Sequence, residues 1–401
     1  MLNVLGILDG EYAYKGPDCV QIDLTNNCNN NCIACWCNSP LLGDRVTPSH
    51  IKKQSLDYHV VVKLIDALSR MQTKELYFSG GGEPLMYPKA IEILSYAKSK
   101  GFICYLHTNF TLVNSEILNK FIEIKLDYLV VSLWAATAAT YVNTHPNKIE
   151  KDFSIIREML IRLNNEKKMY PHVRIYNVIS NLNYKELISM VEFCLETNSE
   201  NTEFTVVDTI PDSTDKLLFT KEQVIDVLTM CEKIKENKRY YRNGRFVVSN
   251  FEHFIRRVSS EGSSKAEYDV DLLGAMPCYI GWLFARVLAD GNVNSCLKSH
   301  KIPIGNLYID DFDAIWNGGK QREFRKCTLR GEKDSPVFSM IGNDPRVKIG
   351  CYKSCDDLYR NMLMHESISS LGSSRKKYLQ FVCNIKRFER IVFGNGNSVN
   401  K

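Results

Sequence analysis

Three cysteines, Cys28, Cys32 and Cys35, share one Asn-rich loop with the spacing C-x3-C-x2-C, and Cys37 follows two residues later. No apolar periodicity surrounds them, so packing as small hydrophobes does not account for them. Three thiolates in one loop can converge on a single metal centre. A structural zinc site calls for four closed ligands, usually from two distant C-x2-C pairs. A cubane iron–sulfur cluster is held by cysteine thiolates, and three of them leave one iron with an open position. Cys37 is a candidate fourth ligand, although Cys35-Trp36-Cys37 is tight spacing for one centre.

A second motif, Ser79-Gly80-Gly81-Gly82-Glu83-Pro84, lies 47 residues beyond the first, counted from Cys35 to Gly82. Glycines in series suit a tight turn, because they adopt backbone angles closed to other residues. A phosphate-binding loop would need G-x-G-x-x-G or a Walker lysine. Neither is present, and Glu83 would repel phosphate. A glycine edge with a carboxylate suits an ammonium group instead.

Both motifs must be positioned by regular elements, and the first half of the chain supplies them. β-type runs fall near 20–24, 75–79, 102–106, 128–133, 173–179 and 203–207, with helical runs between them. The helix expected over 59–70 separates the two motifs. That over 88–101 has Pro88 to start it and Lys98, Lys100 and Gly101 to stop it. Six β/α alternations imply a parallel sheet with helices outside, open or curled into a barrel. The alternation ends near residue 211. Thr220 to Gln223 reads as a capping box, and 259–269 reads as a linker or mobile loop.

The three cysteines after the first strand and the glycine motif after the second together resemble the radical S-adenosylmethionine (SAM) superfamily. The family often has an aromatic residue before the third cysteine; here Ala34 stands there and Trp36 follows. The resemblance implies an α/β fold, a partial (β/α)6 TIM-like barrel over 15–215, with a 4Fe–4S cluster on Cys28, Cys32 and Cys35. It also implies that Gly80, Gly81, Gly82 and Glu83 receive the methionyl amine of SAM. Strand ends face the site in such barrels, which makes Asn109, Ser132 and Asn177 further candidates for SAM contact.

A second cysteine group follows, beyond a helical linker region over 216–277. Cys278, Cys296, Cys351 and Cys355, with Gly291 five residues before Cys296, resemble the auxiliary iron–sulfur extension called SPASM, or its shorter relative twitch, over 278–365. Only six cysteines remain from 278 onward, whereas two fully ligated cubanes need eight and one full plus one open need seven. One auxiliary 4Fe–4S cluster on those four cysteines is therefore expected. Zinc on the same four is the alternative, and Cys327 is the spare. Cys19, Cys104, Cys194 and Cys231 sit in strand runs or on apolar helix faces and read as core.

The resemblance implies reductive cleavage of SAM to a 5′-deoxyadenosyl radical that abstracts hydrogen from substrate, either as an oxidation or as a redox-neutral rearrangement. A one-electron reductant such as flavodoxin or ferredoxin is implied as partner. Asp208, Asp212 and Asp215 after the sixth strand, with His107, His145 and Arg286, are candidate substrate contacts. Acidic loop residues favour a sugar, aminocyclitol or glycan precursor. A ribosomally made peptide is the alternative, and a non-catalytic electron-transfer protein is the second.

Net charge is +5, and the segment 373–401 alone carries +6, seven Lys/Arg against one Glu. The basic character is therefore local to a C-terminal tail over 366–401. No RNA-binding module accompanies it. Leu379, Val382, Ile385 and Phe388 recur there at helical spacing, as a docked helix or an anionic membrane contact would require. No run reaches 18 apolar residues, so no membrane span is expected, and no signal peptide is visible. The cytoplasm is the expected compartment, where thiols stay reduced.

Overall fold

The computed structural model describes residues 1–299, 301–332, 335, 351 and 353–393. Six strands form its centre: β1 (Cys19–Ile22), β2 (Glu75–Phe78), β3 (Ile103–Thr108), β4 (Tyr128–Ser132), β5 (His172–Ile179) and β6 (Asn201–Val206). They pair in parallel and in sequence order, the arrangement of a (β/α) barrel left open. Helices connect them. Tyr58–Arg70 is capped by Asp57, whose carboxylate accepts from the His59 and Val60 amides, satisfying donors that the helix itself leaves open. The capping box at Thr220 and Gln223 opens Lys221–Glu236.

Alternate residues of each strand serve two surfaces. Cys104, Leu106 and Thr108 are buried beneath the helices. On the other face, Tyr77, Tyr105 and Tyr128 lie in register and stack with ring centroids 4.2 and 4.3 Å apart. The Arg174 guanidinium lies 4.4 Å over Tyr128. The inner face is thus aromatic and cationic rather than aliphatic.

The sheet does not end at six strands. After a small hairpin of β7 (Tyr241–Arg242) and β8 (Arg245–Phe246), the chain returns as β9 (Phe284–Val287), parallel to β1 with Cys19 beside Phe284. β10 (Asn292–Asn294) and β11 (Gly305–Asn306) continue antiparallel. The auxiliary region is therefore part of the same nine-stranded sheet.

One segment differs from expectation. The polar stretch 259–269 is fixed in place: Tyr268 is buried and donates to the Val207 carbonyl (2.7 Å), and the Asp269 carboxylate is buried against Arg256 and Arg257. Its four serines and Gly262 concealed two anchors at its end. At the N-terminus, Leu2–Asp9 is a helix burying Val4, Leu5 and Ile7. The basic tail forms a helix, Ser373–Phe393, that docks on it through Leu379 and Cys383. Ile385 and Phe388, which share the helical spacing, face outward. Cys19, Cys104, Cys194 and Cys231 are buried in the core.

Candidate functional site

The first cysteine loop leaves β1 and is gripped by its neighbours. Asn29 accepts from the Asn109 amide group (2.8 Å) and donates to Thr111 (2.8 Å). Asn31 and Asn147 exchange backbone-to-side-chain bonds of 3.1 and 3.0 Å, and the Asn147 amide group donates to the Asn29 carbonyl (2.9 Å). The Ile33 amide donates to Thr144 (2.9 Å).

This grip crowds the thiols. Burial raises the Cys28 thiol. Burial, and next the nearby Cys28, push Cys32 up to about 12. Cys35 is lowered, chiefly by a hydrogen bond from Cys37, which is raised in turn. The Cys37 and Asn38 amides lie 3.4 and 3.3 Å from the Cys35 sulfur. Half-buried neighbouring thiols resist ionising together unless a cationic centre compensates them, so the donor type suits an iron–sulfur cluster, although among the described residues no three of them already stand in ligand geometry.

The glycine motif is pressed against the same loop. A Cβ on Gly80 would lie 2.0 Å from Asp23, and one on Gly82 would lie 2.1 Å from the Asn27 carbonyl oxygen. Glycine is required by close approach here, and at Gly80 also by a φ of 126°. The Glu83 carboxylate is buried and turned into the fold. It accepts from the Thr108 hydroxyl (2.6 Å) and from the Asn109 and Leu85 amides (2.7 and 3.1 Å). Burial still raises its pKa. Glu83 thereby fastens the ends of β2 and β3 beside the cysteine loop. Ser132 ends β4, level with Tyr176. Asn177 is buried with both ends of its side-chain amide engaged, its oxygen accepting from the Trp134 backbone amide and its NH2 donating to the Thr202 hydroxyl.

The second group of cysteines lies within electrostatic reach of one another. Burial raises Cys278, Cys296 (to about 12) and Cys355, and Cys351 raises each of them further. The Cys355 amide donates to the buried Asp269 carboxylate (2.8 Å). Cys327 is buried on the helix Gly319–Arg330, with its sulfur 3.6 Å from the Ser335 hydroxyl. The four thiols are half-buried and close enough to influence one another, and their donor type suits a second cluster, although among the described residues no three such side chains already stand in ligand geometry.

Three elements meet between the two groups. The Trp36 indole donates to the Asp208 carbonyl (2.8 Å), just beyond β6. The buried Lys298, two residues past Cys296, ion-pairs with the Asp208 carboxylate and donates to Ser354 (2.7 Å). Its ammonium lies 5.2 Å from the Trp36 ring centre. Arg286 on β9 makes a second bridge: it binds the buried Asp23 at 2.7 and 3.0 Å and the Leu297 carbonyl at 3.3 Å. A cavity of about 320 Å³ opens beside this junction, lined by Asp208, Asp212, Asp215, Lys265, Glu267 and Lys353.

The remaining candidates are dispersed. Asp215 lines the cavity and also accepts from the Thr209 hydroxyl and the Asp212 amide. His145 is buried behind the first cysteine loop, stacked on Tyr141 with ring centroids 4.4 Å apart. His107 lies on the inner face of β3, 5.9 Å from the Tyr77 ring. Lys298 and Asp269 carry no mark in the sequence that singles them out. Asn147 lies two residues beyond the candidate His145. Nothing in the sequence paired Lys298 with an acid 90 residues away.

Residues 22–194 match the family model described as the radical SAM superfamily, and 278–337 match one described as an iron–sulfur cluster-binding domain, SPASM. The chain is 22% identical over 322 residues to the tungsten-containing aldehyde ferredoxin oxidoreductase cofactor-modifying protein of Pyrococcus furiosus, spanning 77% of this chain and 83% of that one. It is 27% identical to the AdoMet-dependent heme synthase of Methanosarcina barkeri over 45% of this chain and 48% of that protein. Among solved structures, Streptococcus suis SuiB bound to S-adenosylmethionine aligns with a TM-score of 0.60 at 13% identity, covering 86% of this chain and 77% of that one. anSMEcpe with bound AdoMet and Kp18Cys peptide aligns at 0.59 and 13%, covering 92% and 99%. At such identity these likenesses bear on fold alone. Among the described residues no helix is long and apolar enough to cross a membrane.

Proposed function

The chain belongs to the radical SAM superfamily and carries a SPASM iron–sulfur region, and from that premise we propose that it abstracts hydrogen from a small polar substrate bearing hydroxyl or ammonium groups, such as a sugar, aminocyclitol or glycan precursor. It is an enzyme that uses a 4Fe–4S cluster and SAM, with auxiliary iron–sulfur. When loaded and reduced, the first cluster supplies the electron that cleaves SAM to methionine and a 5′-deoxyadenosyl radical. Cys28, Cys32 and Cys35 hold that cluster, and Gly80 to Glu83 shape the SAM amine site. One auxiliary cluster is held by Cys278, Cys296, Cys351 and Cys355.

The observation that carries the substrate reading is the cavity beside Asp208. Its wall carries Ser354 of the auxiliary loop and Asp208, whose carbonyl accepts from Trp36 of the first cysteine loop. Its carboxylates suit hydroxyl and ammonium donors, and Lys298 sets the orientation of Asp208. A peptide substrate is the second reading; anSMEcpe with bound peptide shares this fold along nearly its whole length.

The test is anaerobic reconstitution, dithionite reduction and quantitation of 5′-deoxyadenosine. Aminocyclitols, glycans and extracts fractionated by size would each be supplied as substrate. Stimulation confined to peptide fractions, and insensitive to Asp208→Asn, would overturn the small-molecule reading. A loaded enzyme that never forms 5′-deoxyadenosine would overturn the catalytic one.

A further inference from the structure

The C-terminal helix has two faces, and only one is accounted for. Leu379 and Cys383 dock on Val4 and Leu5 of the N-terminal helix. On the same side, Arg390 pairs with Asp9 (3.2 Å), Arg387 with Glu11 (3.9 Å), and Lys386 lies over the Tyr14 ring. The opposite side presents Tyr378, Phe381, Ile385, Phe388 and Val392, which are 63, 63, 43, 64 and 52% exposed. Their spacing alternates three and four residues over two heptads, which is the seam of a coiled coil. Labelled as a heptad, the seam is a and d, while Cys383 and Arg390, at the opposite f position, meet the body.

We infer that this seam is the dimer interface of the protein: two copies pair antiparallel through Ser373–Phe393 about a two-fold axis. Large contiguous apolar faces are rare on soluble monomers, and a self-complementary face closes with C2 symmetry. The antiparallel register places Tyr378 beside Phe388 of the second copy and Phe381 beside its Ile385. The same register sets Arg375 against Glu389, the one acidic residue of the helix, and symmetry makes that pair twice. A parallel pairing leaves Arg375 opposite no acid. Each body lies on the far side of its own helix, so neither obstructs the approach.

An anionic bilayer fits this face less well. Interfacial helices carry cations along the flanks of the apolar stripe. Here three of the six cations are spent on the body, and the other three, Arg375, Lys376 and Lys377, crowd one turn at one end.

The test is light scattering on the full reconstituted chain at tens of micromolar. A mass of twice 46.0 kDa is expected. Phe381→Glu with Phe388→Glu should give a monomer with unchanged helix content and iron, because Leu379 and Cys383 are untouched. Arg375→Glu should weaken the dimer about three- to tenfold at low salt, and adding Glu389→Arg should restore it. A monomeric wild type, or a dimer indifferent to the double substitution, would overturn the inference. So would a monomer that floats with phosphatidylglycerol vesicles and loses that binding in the double variant, because the face would then be a membrane anchor.

Discussion

The Lys298 ammonium sits on the Asp208 carboxylate, and so joins the segment after Cys296 to the loop after β6. Trp36 completes the junction from the first cysteine loop. A buried cation on an acid and an aromatic face fixes three otherwise independent loops relative to one another.

Lys298→Met keeps the length and removes the charge. It should lower stability by about 1–3 kcal/mol, the cost of an unpaired buried group. Both clusters should still load, because no cysteine is touched. Product formation should fall tenfold or more relative to 5′-deoxyadenosine formation, because a displaced wall loses substrate alignment. Iron analysis with both products quantified checks this; unaltered coupling would remove Lys298 from the positioning role.

Asp269→Ala should be more damaging. It strands Arg257 in the interior and frees the Cys355 amide. Removing one partner of a buried ion pair costs about 3–5 kcal/mol. Auxiliary iron should be lost while SAM-site iron persists. Iron counting separates this from global unfolding, in which both are lost.

The auxiliary ligand set is tested by comparing Cys327→Ser with Cys355→Ser. The first should retain about eight irons per chain and the second about four, with each cubane contributing four. Loss of auxiliary iron in Cys327→Ser would make it a ligand.

His107 gives a pH signature. Burial, and next Arg174, lower its pKa from 6.5 to about 4. Between those values the unfolded chain binds a proton that the folded chain refuses, so stability falls as pH drops below 6.5. From pH 8 to 5 the loss from this group is about 2 kcal/mol. Urea midpoints across that range should show it, and His107→Gln should flatten the slope by that amount.

The cysteine and glycine motifs were legible because each is contiguous and follows a strand. The six-strand alternation was legible because each β/α unit is local. What escaped notice is pairing at a distance. β9 carries no mark of its partner, and Tyr268 and Asp269 look like the end of a polar loop until Arg257 and the Val207 carbonyl are beside them. In the tail, helical spacing identified the helix but not its orientation. The docked side is led by Leu379 and by Cys383, whose residue type alone says little, while Phe388 faces out.

The strand pairing of Cys19 with Phe284 also sets an order of events during synthesis. The outer edge of β1 cannot be covered until a segment some 265 residues later has left the ribosome, and the N-terminal helix waits longer still for Cys383. Until then the nascent barrel carries an open strand edge, the kind of surface that recruits foreign strands. Translation stalled or truncated before residue 284 should therefore yield aggregates rather than a smaller working enzyme. The auxiliary region, whatever electrons it handles, is also the closing seam of the barrel's own assembly.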